Sequence, residues 1–248
     1  MAAKEPIIKV RNLVAQYGEK VILEDISVDI YPGEVTVILG GSGCGKTTLL
    51  RNILRLQEPH AGQVEIFGKS VLELDETEFD TILRRIGMLF QNGALLNSIS
   101  LYDNISIPLE LHTELAKELI DRIIRVKLHL VNLDHAANLL PAELSGGMKK
   151  RAALARALAL DPEILFCDEP SAGLDPLTSE SLDELILKLK KQLNMTIVIV
   201  THELASIHRV ADRIIFLSDG KMLFEGTLED GLESGIPEID TFFKVGKF

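Results

Sequence analysis

Cysteine is scarce: Cys44 and Cys167 are the only thiols in 248 residues. Two thiols build no disulfide framework, and a reducing cytosol suits them. Long apolar runs are also missing. Val35–Leu39, Ile164–Cys167 and Ile197–Val200 hold four or five residues each. A spanning helix needs about twenty, so the chain is expected not to cross a membrane. The opening MAAKEPIIKV lacks a basic stretch followed by an apolar one and reads as no signal peptide. No repeat of roughly 20–50 residues is visible. Neither H-E-x-x-H nor C-x-x-C occurs, so nothing supports structural zinc.

Basic charge is in deficit. Lys plus Arg is 26 and Asp plus Glu is 37, a formal net charge of −11. That argues against a protein that grips nucleic acid, which needs a basic footprint. A small phosphate ligand stays possible, because a few backbone amides and one lysine can hold it. With 46% apolar residues the chain is not disordered. Its length suits one large domain, or one domain with an inserted subdomain.

The first thirty residues read as short strands, IIKVRNL and VILEDISVDI, with a turn at Tyr17–Lys20. Glu34–Leu39 is a continuous apolar run, as expected of a strand buried on both faces. Thr47–Leu56 then has helical spacing, and Gln63–Phe67 and Ile86–Phe90 are further strand candidates. From Asn92 to Leu160 the character becomes helical. Thr113–Leu133 carries Leu115, Leu119, Ile123 and Val126 on one stripe, and Ser145–Ala159 holds five alanines. Short buried strands return at Ile164–Cys167, Thr196–Val200 and Arg213–Leu217, with a helix over Leu177–Leu193. The expected organisation is an α/β core interrupted by a helical insert.

Gly40-Gly41-Ser42-Gly43-Cys44-Gly45-Lys46-Thr47 fits G-x-x-x-x-G-K-[ST], after a predicted strand and before a predicted helix. Glycines let successive amides point inward around an anion. The helix start adds its dipole. Lys46 can reach the β and γ phosphates, and the Thr47 hydroxyl can ligate Mg2+. A dinucleotide fingerprint would need glycine at position 46, which is lysine. Ile164–Cys167 runs into Asp168-Glu169-Pro170, carboxylates at a strand exit. Asp168 is the candidate Mg2+ ligand and Glu169 the candidate general base. Thr196–Val200 exits into Thr201-His202, which makes His202 a candidate γ-phosphate contact. His60, His112, His129, His135 and His208 have no such setting.

Leu144-Ser145-Gly146-Gly147-Met148 completes the set. The chain resembles an ABC-type ATPase over essentially its whole length. The resemblance implies a P-loop NTPase core with an N-terminal antiparallel β-subdomain and an inserted α-helical subdomain. Residues 1–91 and 161–226 would be core, 92–160 the insert with the signature, and 227–248 a tail. It further implies that Tyr17 stacks on adenine, Gly40 to Thr48 hold phosphates, and Gln91 joins the metal site to a permease. Ser145, Gly146 and Gly147 would form the signature, Asp168 and Glu169 the Walker B pair, Asp175 the D-loop end, and His202 the switch. Implied ligands are ATP and Mg2+. Implied partners are a second copy, closing on sandwiched ATP, and an integral membrane permease.

Two positions depart from the usual pattern. The signature usually ends in Gln, here Met148, and the stretch after Gln91 lacks the Phe-Pro common in small-solute importers. Phe90-Gln-Asn-Gly-Ala-Leu-Leu, Asn104-Ile-Ser-Ile-Pro-Leu, LSGGM and Gly235–Phe243 resemble the ATPase subunit of Mla-type (MCE-associated) phospholipid transporters. That implies a peripheral place on the cytoplasmic face of the inner membrane, with an MCE-domain protein and a small STAS-domain protein as further subunits. The alternatives are a small-solute importer ATPase and a soluble ABC ATPase. The tail concentrates Phe242, Phe243 and Phe248 in its last seven residues. It is expected either to fold onto its own domain or to dock on a partner.

Overall fold

The computed structural model describes residues 4–245. The chain opens with β1 (Ile8–Tyr17), β2 (Lys20–Ile30), β3 (Val35–Gly40), α1 (Lys46–Ile53), β4 (Ala61–Ile66), β5 (Lys69–Ser70) and α2 (Glu76–Leu83). There follow β6 (Ile86–Leu89), α3 (Leu101–His112), α4 (Lys117–Leu130), α5 (Gly146–Ala157), β7 (Ile164–Asp168) and α6 (Pro176–Leu193). Last come β8 (Thr196–Val200), α7 (Leu204–Val210), β9 (Arg213–Ser218), β10 (Lys221–Thr227), α8 (Leu228–Leu232) and α9 (Pro237–Val245). These elements form two compact units. One runs to Ile82 and resumes at Thr196; the other is Leu83–Met195.

In the first unit an antiparallel sheet has the order β2-β1-β4-β5. Ile8 and Val10 of β1 are buried, and so are Leu13 and Ala15. The phase changes because the ladder slips between Val10 and Leu13, where Asn12 takes φ +48°. One extra residue in the strand moves the next apolar pair back to the core side. Gly62 of β4 lies against this bulge. A Cβ there would come 2.5 Å from the Leu13 Cα.

The same unit also holds parallel strands. β8 and β9 flank β3, and β10 returns antiparallel along β9. Every residue of β3 is buried, Thr36 included, as its largely apolar sequence predicts. The Asp212 carboxylate accepts from the Val35 amide at 2.7 Å and fixes the strand's start. The tail folds onto this unit. Ile239 is fully buried, Phe243 meets the His208 ring edge-on at 5.4 Å, and Phe242 meets Phe216 likewise. Phe248 lies outside the described residues.

In the second unit β6 and β7 pair in parallel, Ile86 opposite Ile164. Ala152, Ala153 and Ala155 are buried on α5, and small side chains let neighbours approach its backbone closely. α3 starts with a capping box between Ser100 and Asp103. The stripe expected on the following helix is corrected here. α4 buries Ile120, Ile124, Lys127 and Leu128, while Leu119 and Val126 are exposed. Two apolar rows run along this helix, and the buried one carries a lysine. Lys127 goes inside because its ammonium reaches Asp161 at 2.5 Å.

Candidate nucleotide-binding and hydrolysis site

The first unit supplies the phosphate loop. It leaves β3 at Gly40 and enters α1 at Lys46. Gly40 has φ +142°, and a Cβ there would lie 2.1 Å from the Leu217 carbonyl oxygen. Gly45 has φ +105°, with the Leu23 side chain 2.4 Å from where its Cβ would be. These two glycines are required by packing and conformation. Gly41 and Gly43 differ in packing, since a Cβ on either would meet nothing within 4 Å, although Gly43 shares the positive φ, at +77°. Lys46 is 9% exposed, and its ammonium donates to the Gly40 and Gly41 carbonyls at 2.9 and 2.8 Å. The cation is thus held inside the loop.

The start of α1 suits an anion. Its N-cap is Gly45, with no side-chain cap and no acid in the first turn. The first amides of a helix lack intrahelical acceptors and attract phosphate oxygens. Thr47 is half-buried and Thr48 is buried. Ser42 is exposed, while Cys44 packs inward, 3.9 Å from the Lys46 ammonium. Tyr17 closes β1 with its ring 48% exposed and its hydroxyl donating to Gln57 at 2.6 Å. His202 is exposed just past β8, after buried Thr201, whose amide donates to the Ile38 carbonyl at 3.3 Å. The glycine pattern and enclosed lysine fit a nucleoside polyphosphate.

The second unit brings together Gln91, Asp168, Glu169, the signature turn and Asp175. Asp168 ends β7, and Glu169 follows with φ +45°, a region few non-glycine residues adopt. Gln91 is exposed, two residues beyond β6. Ser145 caps α5, accepting from the Met148 amide at 3.3 Å. A Cβ on Gly147 would lie 2.6 Å from the Thr178 methyl, so this glycine lets the signature turn abut the first turn of α6. Asp175 caps α6, accepting from the Thr178 amide at 3.1 Å and its hydroxyl at 2.5 Å. Those bonds hold the Asp175 carboxyl below its ordinary value. Cys167 is fully buried, and burial pushes its thiol well up, so it is inert filler in β7.

Two functional candidates escaped the sequence reading, both on α5. Lys150 is 7% exposed; its ammonium donates to the Gln91 carbonyl and, at 3.2 Å, to the Glu169 carbonyl. Burial pushes this ammonium below the ordinary lysine value, while Cys167, Glu169 and Asp168 nearby pull it back up. Arg156 donates to the Ala94 and Gly93 carbonyls at 2.7 and 2.9 Å. A signal existed for Lys150: at helical spacing it shares a stripe with Ala153 and Leu154.

The ABC transporter family profile matches residues 23–172. The chain belongs to the ABC transporter family. This ABC protein is 40% identical to the intermembrane phospholipid transport system ATP-binding protein MlaF of Haemophilus influenzae. That match spans 96% of this chain and 90% of the relative. It is 41% identical to the probable ribonucleotide transport ATP-binding protein mkl of Mycobacterium leprae, over 95% of this chain and 68% of that one. Among solved structures it matches a dimeric ATP-binding cassette in a post-hydrolysis state bound to ADP and Pi. The TM-score is 0.80 at 33% identity, over 89% of this chain and 98% of the other. The fold is that of a P-loop ABC ATPase, and the chain is the ATP-hydrolysing subunit of a transporter. Among the described residues, no helix is long and apolar enough to cross a membrane.

Proposed function

We propose that this ATPase drives a separate membrane permease that moves phospholipid in a bacterial envelope. The observation that carries the cargo is the 40% identity to MlaF across nine-tenths of that protein's length. In this reading the chain sits peripherally on the cytoplasmic face of the inner membrane. It closes with a second copy on sandwiched ATP, beside the permease, an MCE-domain protein and a small STAS-domain protein. Residues 1–91 and 161–226 act as the catalytic core, 92–160 as the insert that receives the permease, and 227–248 as a tail.

Each residue has a role. Tyr17 stacks on adenine. The amides of Gly40 to Thr48 and the Lys46 ammonium hold the phosphates, and Lys46 offsets charge on the β–γ bridge as it breaks. Glu169 accepts the proton of the attacking water while that water's oxygen bonds to the γ-phosphorus and the bond to ADP breaks. His202 and Gln91 orient the γ-phosphate and the water. Ser145, Gly146 and Gly147 of one copy donate to the γ-phosphate held by the other, with Asp175 beside them. The hydroxyl of Thr47, the amide oxygen of Gln91 and the carboxylate of Asp168 are hard donors suited to Mg2+. Mg2+ supplies neutralisation of phosphate charge when bound.

The test is purification of the tagged chain from native membranes in mild detergent, with mass spectrometry of proteins and lipids. An MCE-domain protein and bound phospholipid in the eluate are the expected result. A permease of another class without lipid would overturn the cargo reading and leave the ATPase chemistry in place.

A further inference from the structure

We propose that Lys150 is a positioning residue. It ties the signature helix to the backbone under both Gln91 and Glu169, with Arg156 as a second anchor two turns on. The inference rests on the roles given above to Gln91 and Glu169.

Two left-handed, non-glycine residues lie in this region, Ala94 at φ +50° and Glu169 at φ +45°. Such conformations are strained and persist only where surrounding structure enforces them. Both carbonyls are held by cations of the same helix. Arg156 donates to Ala94 and Gly93, and Lys150 donates to Glu169 and Gln91. Between the anchors, Gly93 sits on α5: a Cβ there would stand 3.3 Å from the Ala153 Cβ. Residues 150, 153 and 156 share one side of the helix, so the Gln91–Ala94 turn lies along it.

The Lys150 ammonium is spent on two carbonyls rather than on a carboxylate. A buried charged donor binds carbonyl oxygen more strongly than a neutral one, and its three hydrogens can serve both carbonyls. The consequence is mechanical. Ser145–Gly147 start the same helix. Any shift of that helix, as when its start meets a partner's phosphate, is passed to the backbone that carries Gln91 and Glu169.

The test uses the full chain with four proteins: wild type, Lys150→Met, Lys150→Arg and Glu169→Gln. Lys150→Met is expected to lower kcat by about 10- to 100-fold while KM and fluorescent-nucleotide affinity stay within about twofold, the pattern of lost transition-state alignment. Lys150→Arg, which keeps a charged multiple donor, is expected to recover most of kcat. Glu169→Gln is expected to bind ATP without turnover. Lys150→Met with wild-type kcat beside an inactive Glu169→Gln would overturn the Lys150 inference alone. Turnover by Glu169→Gln would overturn the reading on which it rests. Equal loss of ATP binding and kcat would show a merely structural role and also overturn it. If Lys150→Met does not fold, Lys150→Gln carries the same test with a neutral donor: a kcat loss at unchanged KM supports the proposal, and none refutes it.

Discussion

Gly87→Ala is the substitution whose cost can be worked most directly from geometry. Gly87 lies in β6, and its φ is not in the left-handed region. Alanine is therefore no conformational burden there, and the penalty is steric. A Cβ at 87 would stand 2.5 Å from the Ala157 carbonyl oxygen, 3.2 Å from its carbonyl carbon and 3.0 Å from the Pro162 Cγ. Ordinary contact needs roughly 3.5 Å between heavy atoms, so two backbones must part by close to 1 Å. Neither can yield by a rotamer change. The cost belongs at the upper end of overpacking, about 3 kcal/mol. For a chain of this size that is a Tm loss of about 6–12 °C. The assay is thermal and urea denaturation of the purified full chain by circular dichroism. Gly68→Ala is the control: Gly68 has φ +73° but open space around it, so it should lose only about 1–2 kcal/mol for the left-handed backbone. A Gly87→Ala protein that melts within about 2 °C of wild type, or above Gly68→Ala, would refute the steric argument.

Phe243→Ala should cost about 3 kcal/mol in urea denaturation, because the ring is 6% exposed and packed on His208; an unchanged midpoint would mean that α9 is not held by this ring. Glu225 gives a pH-dependent prediction. Burial, with Asp29 nearby, pushes its carboxyl above the ordinary value, against the Asp29 amide, Arg213 and Arg11. The folded state then holds a proton that the unfolded state releases first, so stability falls as pH rises from the ordinary glutamate pKa through the raised one. Glu225→Gln lacks that fall. Its Tm relative to wild type should therefore climb across this window, and a flat difference would reject the raised value.

Legibility followed how locally each feature is encoded. β3 was readable because a strand buried on both faces needs no alternation, and Val35–Leu39 is apolar apart from Thr36. The phosphate loop was readable because backbone chemistry demands fixed glycine and lysine spacing. β1 was only half visible, since its bulge at Asn12 breaks the alternation that marks a strand. α3 was missed: Pro108 sits inside it, and its start at Ser100 is a cap rather than an apolar signal. On α4 the period was right but the face was not. Leu119 and Val126 form as good a row as Ile120 and Ile124, and the choice is made by tertiary packing that brings Asp161 to Lys127. For Lys150 the helical stripe could have signalled burial but not a role, because its partners, the carbonyls of Gln91 and Glu169, have no identity in a sequence.

The two glycine-rich helix starts of this chain are not equivalent, and the difference bears on how ATP is shared. The start of α1 leaves its amides without a side-chain cap and adds the enclosed Lys46 ammonium. Amides plus a resident cation make a site able to bind polyphosphate alone. The start of α5 already gives its Met148 amide to Ser145, and its nearby Lys150 is turned inward to backbone carbonyls. What it still offers is an exposed glycine turn at Ser145–Gly146 with no committed cation. Such a turn is a weak receptor for free phosphate but a good second contact for one held elsewhere. In the dimer proposed above, each strong site would recruit ATP and each weak site would respond only when the partner has done so.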